Sequence, residues 1–214
     1  QANRLANVLV RELGLKPGNR VLLRGPNNPM MAACWFAVMK AGGVCVATMP
    51  LLRAKELIEV IQKAEISHAL CDKRLAGELE TAAASCPTLR EIKCWFDDAP
   101  DSLDALSLRQ PLWFTNAATA ADDVALIAFT SGTTGKPKGT VHFHRDVVAM
   151  CDAFPRSILK VQKDDVFCGT PPIAFTFGLG GLLCFPLRYG ASTVLVEKHT
   201  PESLLETIER FKAT

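Results

Sequence analysis

Short apolar segments alternate with longer amphipathic segments along the first 96 residues of the chain. Residues 20–25 (RVLLRG), VCVATM, HALCD and EIKCWF are short apolar runs of the kind that form buried strands. Between them lie segments with the apolar spacing of helices, such as residues 53–65, where Leu57, Ile58 and Ile61 share one helix face. This order predicts an α/β fold, with a mostly parallel sheet covered by helices on both faces.

A second series of alternating segments occupies residues 122–214. VALIAFT, GTVHFH, DVFCGT and STVLVE read as strands, and helices are predicted from Val147, near 179–188 and from Thr200. Asp146 and Thr200 precede two of these helices, and both are residue types that cap helix N-termini.

Residues 97–121 interrupt the alternation with a segment rich in Asp, Ser, Ala and Pro. We interpret this segment as a connection between a first α/β sub-block, residues 1–96, and a second, residues 122–214. Three large apolar residues in the connection could still pack against the core: Leu112, Trp113 and Phe114. Because the opening QANRLANVLVREL and the ending ETIERFKAT both read as helix, we expect the chain to be a piece of a longer protein.

Composition and charge exclude several classes of protein. Hydrophobic residues make up 49% and charged residues 21%, and the net charge of +2 gives no reason to expect nucleic acid or an anionic membrane as partner. No apolar run reaches the roughly 18–20 residues of a membrane span. The eight cysteines form no C-x-x-C pair and indicate reduced, buried thiols in a cytoplasmic protein. The four histidines are too scattered to predict a metal site.

A dense cluster of small hydroxyl residues, glycines and cations follows the strand VALIAFT. Residues 129–140 (FTSGTTGKPKGT) contain three glycines, four threonines, one serine and two lysines. Gly132, Gly135 and Gly139 can turn backbone N–H groups inward, because glycine tolerates positive φ, and such concave nests hold anions. A polyphosphate suits this loop, since the hydroxyls and ammonium groups can donate to its many oxygens.

Two common phosphate-binding loops do not match this cluster. A Walker A loop needs G-x-x-x-x-G-K-[ST], but Gly135-Lys136 is followed by Pro137, and Thr130 stands where the first glycine should be. The cluster is not the dinucleotide motif G-x-G-x-x-G either. From the residues alone, an exposed Gly/Ser/Thr hairpin between two strands remains the alternative.

The segment FTSGTTGKPKGT resembles the signature of the adenylate-forming superfamily, which includes acyl- and aryl-CoA synthetases, adenylation domains of peptide synthetases and luciferases. VLLRGPNN, AVMKAGGVCVATMP and PLRYGASTVLVE resemble the corresponding N-terminal blocks in the same order, so the likeness covers almost the whole chain. PPIAFTFGLGGLLCFPLRYGAS is most similar to the benzoate and 2-aminobenzoate CoA ligase branch. The resemblance implies the layered αβαβα N-terminal part of such an enzyme.

The resemblance also implies a ligase that uses ATP, Mg²⁺ and coenzyme A in two steps. The carboxylate of an aryl or short-chain acid attacks the α-phosphate of ATP, giving an acyl-adenylate and pyrophosphate, and the thiol of coenzyme A then displaces AMP. In this family the loop holds the β- and γ-phosphates and stabilises charge on the leaving pyrophosphate. The matching residues are Thr130, Ser131, Gly132, Thr133, Thr134, Gly135 and Lys138.

A second candidate site follows from the resemblance of IAFTFGLG (173–180) to the family's acyl-binding segment. The expected substrate-binding residues are Phe175, Thr176, Phe177 and Gly178. An aromatic wall beside a glycine would form a slot for a flat or short acyl group, whereas the alternative is that both phenylalanines are core residues at a strand end. His144 matches a His-Arg pair that the family often has before a helix, and we expect it to be structural or to support the site.

The family's catalytic lysine and its adenine-, ribose- and magnesium-binding residues have no counterpart in this sequence, so no catalytic residue is predicted within it. Two other functions stay open. One is a peptide-synthetase-type adenylation domain that loads a carrier protein. The other is a non-catalytic nucleotide- or phosphate-binding module.

Overall fold

The computed structural model describes residues 1–130, 137–198 and 200–214. Its strands are β1 (Arg20–Arg24), β2 (Val44–Thr48), β3 (His68–Asp72), β4 (Glu91–Trp95), β5 (Val124–Thr130), β6 (Lys138–Phe143), β7 (Val166–Cys168) and β8 (Ser192–Val194). Its α-helices are α1 (Ala2–Asn7), α2 (Pro29–Lys40), α3 (Ala54–Lys63), α4 (Ala76–Ala83), α5 (Leu103–Leu108), α6 (His144–Phe154), α7 (Thr176–Leu179), α8 (Phe185–Arg188) and α9 (Pro201–Phe211). Short π-helical segments follow α1, α6 and α7 at Val8–Glu12, Pro155–Leu159 and Gly180–Cys184.

Within the described residues, six strands form one sheet in the order β4-β3-β1-β2-β5-β6. The first five strands of this order pair in parallel, and β6 pairs antiparallel with β5 at the edge. A second, two-stranded parallel sheet consists of β7 and β8. The predicted class, an α/β fold with mostly parallel sheets flanked by helices, is therefore confirmed.

Apolar side chains cover the large sheet on both faces, as its parallel pairing requires. One cluster packs α1 and α2 against the sheet and includes the buried residues Leu5, Trp35 and Trp95. The other packs α3 and α4 against the opposite face and includes Leu57 and Leu79. The face of α3 predicted from its spacing is largely confirmed, because Leu57 and Ile61 are fully buried and Ile58 packs at the edge of the same cluster.

The start of α6 differs from the sequence prediction. The helix begins at His144 and not at Val147, and Asp146 lies inside its first turn. The Asp146 carboxylate accepts the backbone N–H of Phe143 at 2.8 Å, so it caps the helix from the third position and not as the preceding residue. The prediction for Thr200 is confirmed, because its hydroxyl accepts the N–H of Ser203 at 3.2 Å at the start of α9.

The connection at residues 97–121 contains a helix that the sequence analysis missed. The helix is α5, and the Ser102 hydroxyl caps it by accepting the N–H of Ala105 at 3.1 Å. Phe114 packs against the core as expected, whereas Leu112 and Trp113 are exposed. Strands from both sides of the connection share the large sheet, since Cys45 of β2 lies opposite Leu126 of β5. The division into two sub-blocks stays a prediction.

All eight cysteines are free thiols, and all except the half-buried Cys168 are buried. The predicted burial is therefore confirmed for seven of them. In the three described ranges, no helix is long and apolar enough to cross a membrane.

His68, the first residue of β3, is a buried histidine outside both predicted sites. Ser67 Oγ lies 2.7 Å from its Nδ1, and its Nε2 lies 3.0 Å from the carbonyl oxygen of Leu13. Burial lowers the pKa of His68, and Arg90 adds to this effect, whereas the Leu13 carbonyl and Glu91 oppose it. The folded protein therefore holds the ring neutral, with Nε2–H donating to Leu13.

We expect this histidine to make the protein less stable as the pH falls below about 6.5, where the unfolded chain takes up a proton and the folded chain does not. The lowered pKa means that the contribution is fully present above that pH. The contribution of His68 to the change in unfolding free energy with pH should not exceed about 1.4 kcal/mol per pH unit, the value for uptake of one proton. Urea unfolding of the wild type and His68→Gln at a series of pH values measures it. Equal slopes for the two proteins would contradict the prediction.

Candidate functional site

The β5–β6 hairpin brings two of the predicted phosphate-binding residues together. Thr130 is the last residue of β5 and lies directly opposite Lys138, the first residue of β6. Both residues are exposed, so a hydroxyl and an ammonium group stand side by side where the chain enters and leaves the loop. The other predicted phosphate-binding residues lie outside the described ones: Ser131, Gly132, Thr133, Thr134 and Gly135.

Gly139 belongs to β6 and not to the loop, which corrects the sequence interpretation of its role. Its φ is not positive, so it does not turn the backbone as a nest glycine would. A Cβ at this position would lie 3.0 Å from Ile127 Cγ2 and 3.3 Å from Phe129 Cζ. The glycine therefore allows β6 to pack closely against these side chains of β5.

The two faces of β5 have different neighbours. Ile127 and Phe129 pack with the cluster around α3, whereas Leu126 and Ala128 pack with the cluster around α2. Since side chains alternate along a strand, Thr130 projects to the same face as Ala128. Lys138 projects to that face too, because directly opposite residues of an antiparallel pair share a face.

The predicted acyl-binding segment lies against this same face of β5. Phe175 precedes α7, is 43% exposed, and lines a small cavity together with Ala128. The remaining cavity residues come from α2, β2, β5 and the segment around α7: Trp35, Cys45, Ala47, Leu126, Ile127, Ile173, Ala174, Thr176 and Leu179. The structure therefore brings Phe175 to the face of the β5–β6 hairpin that carries Thr130 and Lys138.

The other predicted substrate-binding residues differ in their surroundings. Thr176 is exposed at the start of α7 and also lines the cavity, whereas Phe177 is 77% exposed and does not line it. Gly178 is buried, and a Cβ there would overlap the carbonyl group of Pro172 and lie 2.7 Å from the carbonyl oxygen of Pro171. Gly178 thus has a packing role, which is to let α7 lie on the backbone of the two prolines.

Asn27 is a residue that the sequence analysis missed. It follows β1 in the sequence, is 6% exposed, and its Nδ2 donates to the carbonyl oxygen of Pro171 at 2.9 Å. Its Oδ1 accepts the N–H of Ile173 at 2.8 Å. The signal in the sequence was the Asn pair in RGPNNP directly after a parallel strand, because ligand sites of α/β sheets lie at the carboxyl ends of the strands.

A polar network connects the segment after β8 to the sheet. Asn28 caps α2 by accepting the N–H of Met31 at 2.8 Å, and it donates to Glu197 Oε1 at 2.8 Å. Arg74 pairs with the same glutamate at 3.0 Å and with the fully buried Asp72 at 2.7 Å. The guanidinium group of Arg74 lowers the pKa of Glu197, so this carboxyl stays ionised.

His144 lies at the opposite end of β6 from Lys138. It is the first residue of α6, and its backbone N–H donates to the carbonyl oxygen of Asp123 at 3.1 Å. Its neighbour Arg145 pairs with Asp122 and stacks 5.0 Å from the ring centre of Phe143. These contacts agree with a structural role, which stays a prediction. Among the residues that the structure describes, no group of three His, Cys, Asp or Glu side chains is arranged to hold a metal ion.

The model of the family described as "AMP-binding enzyme" matches residues 1–214, the whole chain. The chain belongs to this family of AMP-binding enzymes. It is 31% identical over 213 residues to benzoate–CoA ligase of Thauera aromatica and 30% identical over 221 residues to anthranilate–CoA ligase of Pseudomonas aeruginosa. In each case the match covers 99% of this chain and 40% of the relative. The chain thus spans about two fifths of the length of these relatives.

A solved structure extends the likeness to the fold. The anthranilate CoA ligase AuaEII in complex with anthranoyl-AMP superposes with a TM-score of 0.94 at 27% identity, covering 100% of this chain and 42% of that one. The resemblance to benzoate and 2-aminobenzoate CoA ligases seen in the sequence is therefore confirmed.

Proposed function

We propose that the whole protein is an ATP-dependent carboxylate–CoA ligase that activates an aryl or short-chain acid. The observation that carries the proposal is the placement of an exposed hydroxyl–ammonium pair, Thr130 and Lys138, on the face of the β5–β6 hairpin that also borders the Phe175 cavity. Residues that we propose for phosphate and for acid thereby lie on or against one face of this hairpin. Joining a carboxylate to the α-phosphate of ATP requires both reactants side by side.

The residues at the end of the hairpin suit the phosphates of ATP. The Thr130 hydroxyl and the Lys138 ammonium group can donate to phosphate oxygens, and the proposed partners in the loop are Ser131, Gly132, Thr133, Thr134 and Gly135. Donors fixed around the β- and γ-phosphates stabilise the charge that develops on pyrophosphate as it leaves. We propose that Mg²⁺ accompanies ATP, and we expect its protein ligands and the catalytic lysine outside residues 1–214.

The surroundings of Phe175 suit a flat acyl group. The cavity is bordered by two aromatic side chains, Phe175 and Trp35, and by the small side chains of Ala47, Ala128 and Ala174. Aromatic walls with small residues between them leave a narrow apolar space, which accepts a ring more readily than a branched chain. The names of the relatives, which are ligases of benzoate and anthranilate, support an aryl acid as substrate.

The proposal includes the partners and location of the protein. The partners are a small carboxylic acid, ATP and coenzyme A, with no nucleic acid or membrane among them. Eight free thiols support a reducing compartment, and we propose the cytoplasm.

Pyrophosphate exchange by the whole protein tests the activation step. We expect exchange of labelled pyrophosphate into ATP to depend on an aryl or short-chain acid, and addition of coenzyme A to convert the same acid into its thioester. Exchange without transfer to coenzyme A, but with transfer to a carrier protein, would favour a peptide-synthetase-type adenylation domain. Absence of exchange with every acid, despite ATP binding, would favour a non-catalytic nucleotide-binding module.

Replacing Phe175 with alanine is expected to raise KM for the acid while leaving KM for ATP nearly unchanged. Removing a ring from the wall of a binding cavity weakens binding of the acid by about 1–3 kcal/mol, a factor of roughly 5 to 150. Steady-state pyrophosphate exchange with varied acid and varied ATP measures the two constants separately.

Phe211→Ala is the matched control, because Phe211 is 46% exposed on α9 and does not line the cavity. It should leave both KM values as in the wild type. If Phe175→Ala lowered the unfolding temperature but left KM for the acid unchanged, Phe175 would be a structural residue and the acid site would lie elsewhere.

A further inference from the structure

Both ends of the Asn27 side-chain amide form hydrogen bonds with one short stretch of backbone, which lies 144 or more residues further along the chain. The amide nitrogen donates to the Pro171 carbonyl, and the amide oxygen accepts the N–H of Ile173. The side-chain amide therefore links the end of β1 to the segment before α7 by one donated and one accepted hydrogen bond, as a neighbouring strand would. Because the amide is almost completely buried, water does not replace either bond.

The stretch that Asn27 holds has few backbone donors of its own. Pro171 and Pro172 lack N–H groups, so Ile173 provides the first donor after Thr170. The Ile173 side chain is buried, whereas its N–H has Asn27 as its partner. Loss of the Asn27 amide would leave that buried donor unpaired, which favours a shift of the whole stretch.

The position of Phe175 depends on this stretch. Its N–H donates to the Pro172 carbonyl at 3.0 Å, and Ile173 and Phe175 line the same cavity beside Ala128 of β5. Asn27 itself does not line the cavity, so it would not touch an acid bound there. The direct connection from Asn27 to the cavity runs through the backbone from Pro171 to Phe175, because both hydrogen bonds of the amide go to that stretch.

We propose that Asn27 is a positioning residue that sets the distance between the Phe175 wall and Ala128 of β5, and thereby the fit of the acid. This inference rests on the proposed function, because it takes the cavity to be the acyl site. It assigns a role in acid selection to a side chain that follows β1. In the sheet, β2 separates β1 from β5, the strand that leads into the family motif at residues 129–140.

The test compares Asn27→Ala with Asn7→Ala in the whole protein. Asn7 is a matched control because it is a buried asparagine, 1% exposed, whose Nδ2 donates to the backbone carbonyls of Asn3 at 3.0 Å and Trp113 at 2.9 Å. Asn27→Ala should raise KM for the acid on the order of tenfold, with KM for ATP within about twofold of the wild type. Asn7→Ala should change neither constant.

Two further measurements separate positioning from general loss of stability. Hydrogen exchange at the Ile173 amide should become faster in Asn27→Ala and stay unchanged in Asn7→Ala. Asn27→Asp keeps the acceptor for Ile173 but places an ionised oxygen against the Pro171 carbonyl. Its KM for the acid should be raised at neutral pH and should recover toward the wild type as the pH is lowered, because the protonated carboxyl can donate again.

Two results would overturn the proposal. In the first, Asn27→Ala raises KM for the acid and KM for ATP equally. In the second, hydrogen exchange at the Ile173 amide becomes faster while KM for the acid stays unchanged. If Asn27→Ala does not fold, Asn27→Asp decides by the same criteria. A failure of the proposed function looks different, since the wild type would then show no acid-dependent pyrophosphate exchange at all.

Discussion

Gly178→Ala is expected to destabilise the protein by about 3 kcal/mol, the upper end of the usual range for overpacking a core. The added methyl group would overlap the Pro172 carbonyl and approach that of Pro171. Neither group is the flexible end of a side chain, so the backbone of Pro171–Pro172 or the start of α7 must move. Denaturant unfolding of the wild type and the variant measures the difference.

Gly181→Ala provides the control three residues further along the same helical run. Apart from its chain neighbours and the backbone of its own helical turn, a Cβ at Gly181 has no heavy atom of the described residues within 4 Å, so alanine fits there without displacement. Since glycine is a weaker helix former than alanine, the free energy of unfolding of this variant should rise by about 0.5–1 kcal/mol. The two glycine-to-alanine substitutions are thus expected to change stability in opposite directions. Equal effects would mean that the packing of Gly178 on the prolines is looser than the structure indicates.

Residues 1–214 expressed alone are expected to form no acyl-adenylate from ATP and any carboxylic acid. We propose that the hairpin holds the phosphate end of ATP, but the described residues offer no cluster for a metal ion, and the chain spans only 40% of the length of its relatives. In-line attack on the α-phosphate needs both reactants held in place, and this alignment is worth roughly 7–11 kcal/mol of barrier. Pyrophosphate exchange should therefore stay at background.

The same fragment should still bind pyrophosphate weakly, because the proposed donors are local to residues 130–138. Binding should weaken as salt increases, as expected for an exposed cationic site. Titration calorimetry at low and high salt measures this, with circular dichroism to verify that the fragment is folded. Clear exchange activity would show that residues 1–214 contain a complete adenylation site. A folded fragment without pyrophosphate affinity would mean that the hairpin end is not a phosphate site by itself.

Elements with strong periodicity were predictable from the sequence. The strands β1 to β4 and helix α3 lie within a few residues of their predicted bounds, because apolar spacing is a local signal. The short helix α5 was missed, since its six residues lie in a segment whose composition resembles a loop. The start of α6 was placed three residues late, because an acidic residue can cap from inside the first turn as well as from before it.

The candidate site was predictable only in part. Thr130, Lys138 and Phe175 are predicted as site residues from the resemblance of short motifs, and such motifs give residues but not their neighbours in space. Neither spacing nor motif indicated that Phe175 borders the face of β5 that carries Ala128, or that Phe177 is exposed and does not line that cavity. These relations depend on how α7 packs on the sheet, and packing angles are not encoded in any local pattern.

The sequence by itself determined the parallel α/β class and, through residues 129–140 and the blocks around them, the family. Both follow from local features, the alternation of apolar periods and a dense run of Gly, Thr and Lys. Only the tertiary structure decided that Asn27 forms hydrogen bonds with Pro171 and Ile173. It also decided that position 178 has to be glycine, because a side chain there would overlap the Pro172 carbonyl. The physical reason is that such contacts join segments far apart in the chain, and their partners are selected when the core packs.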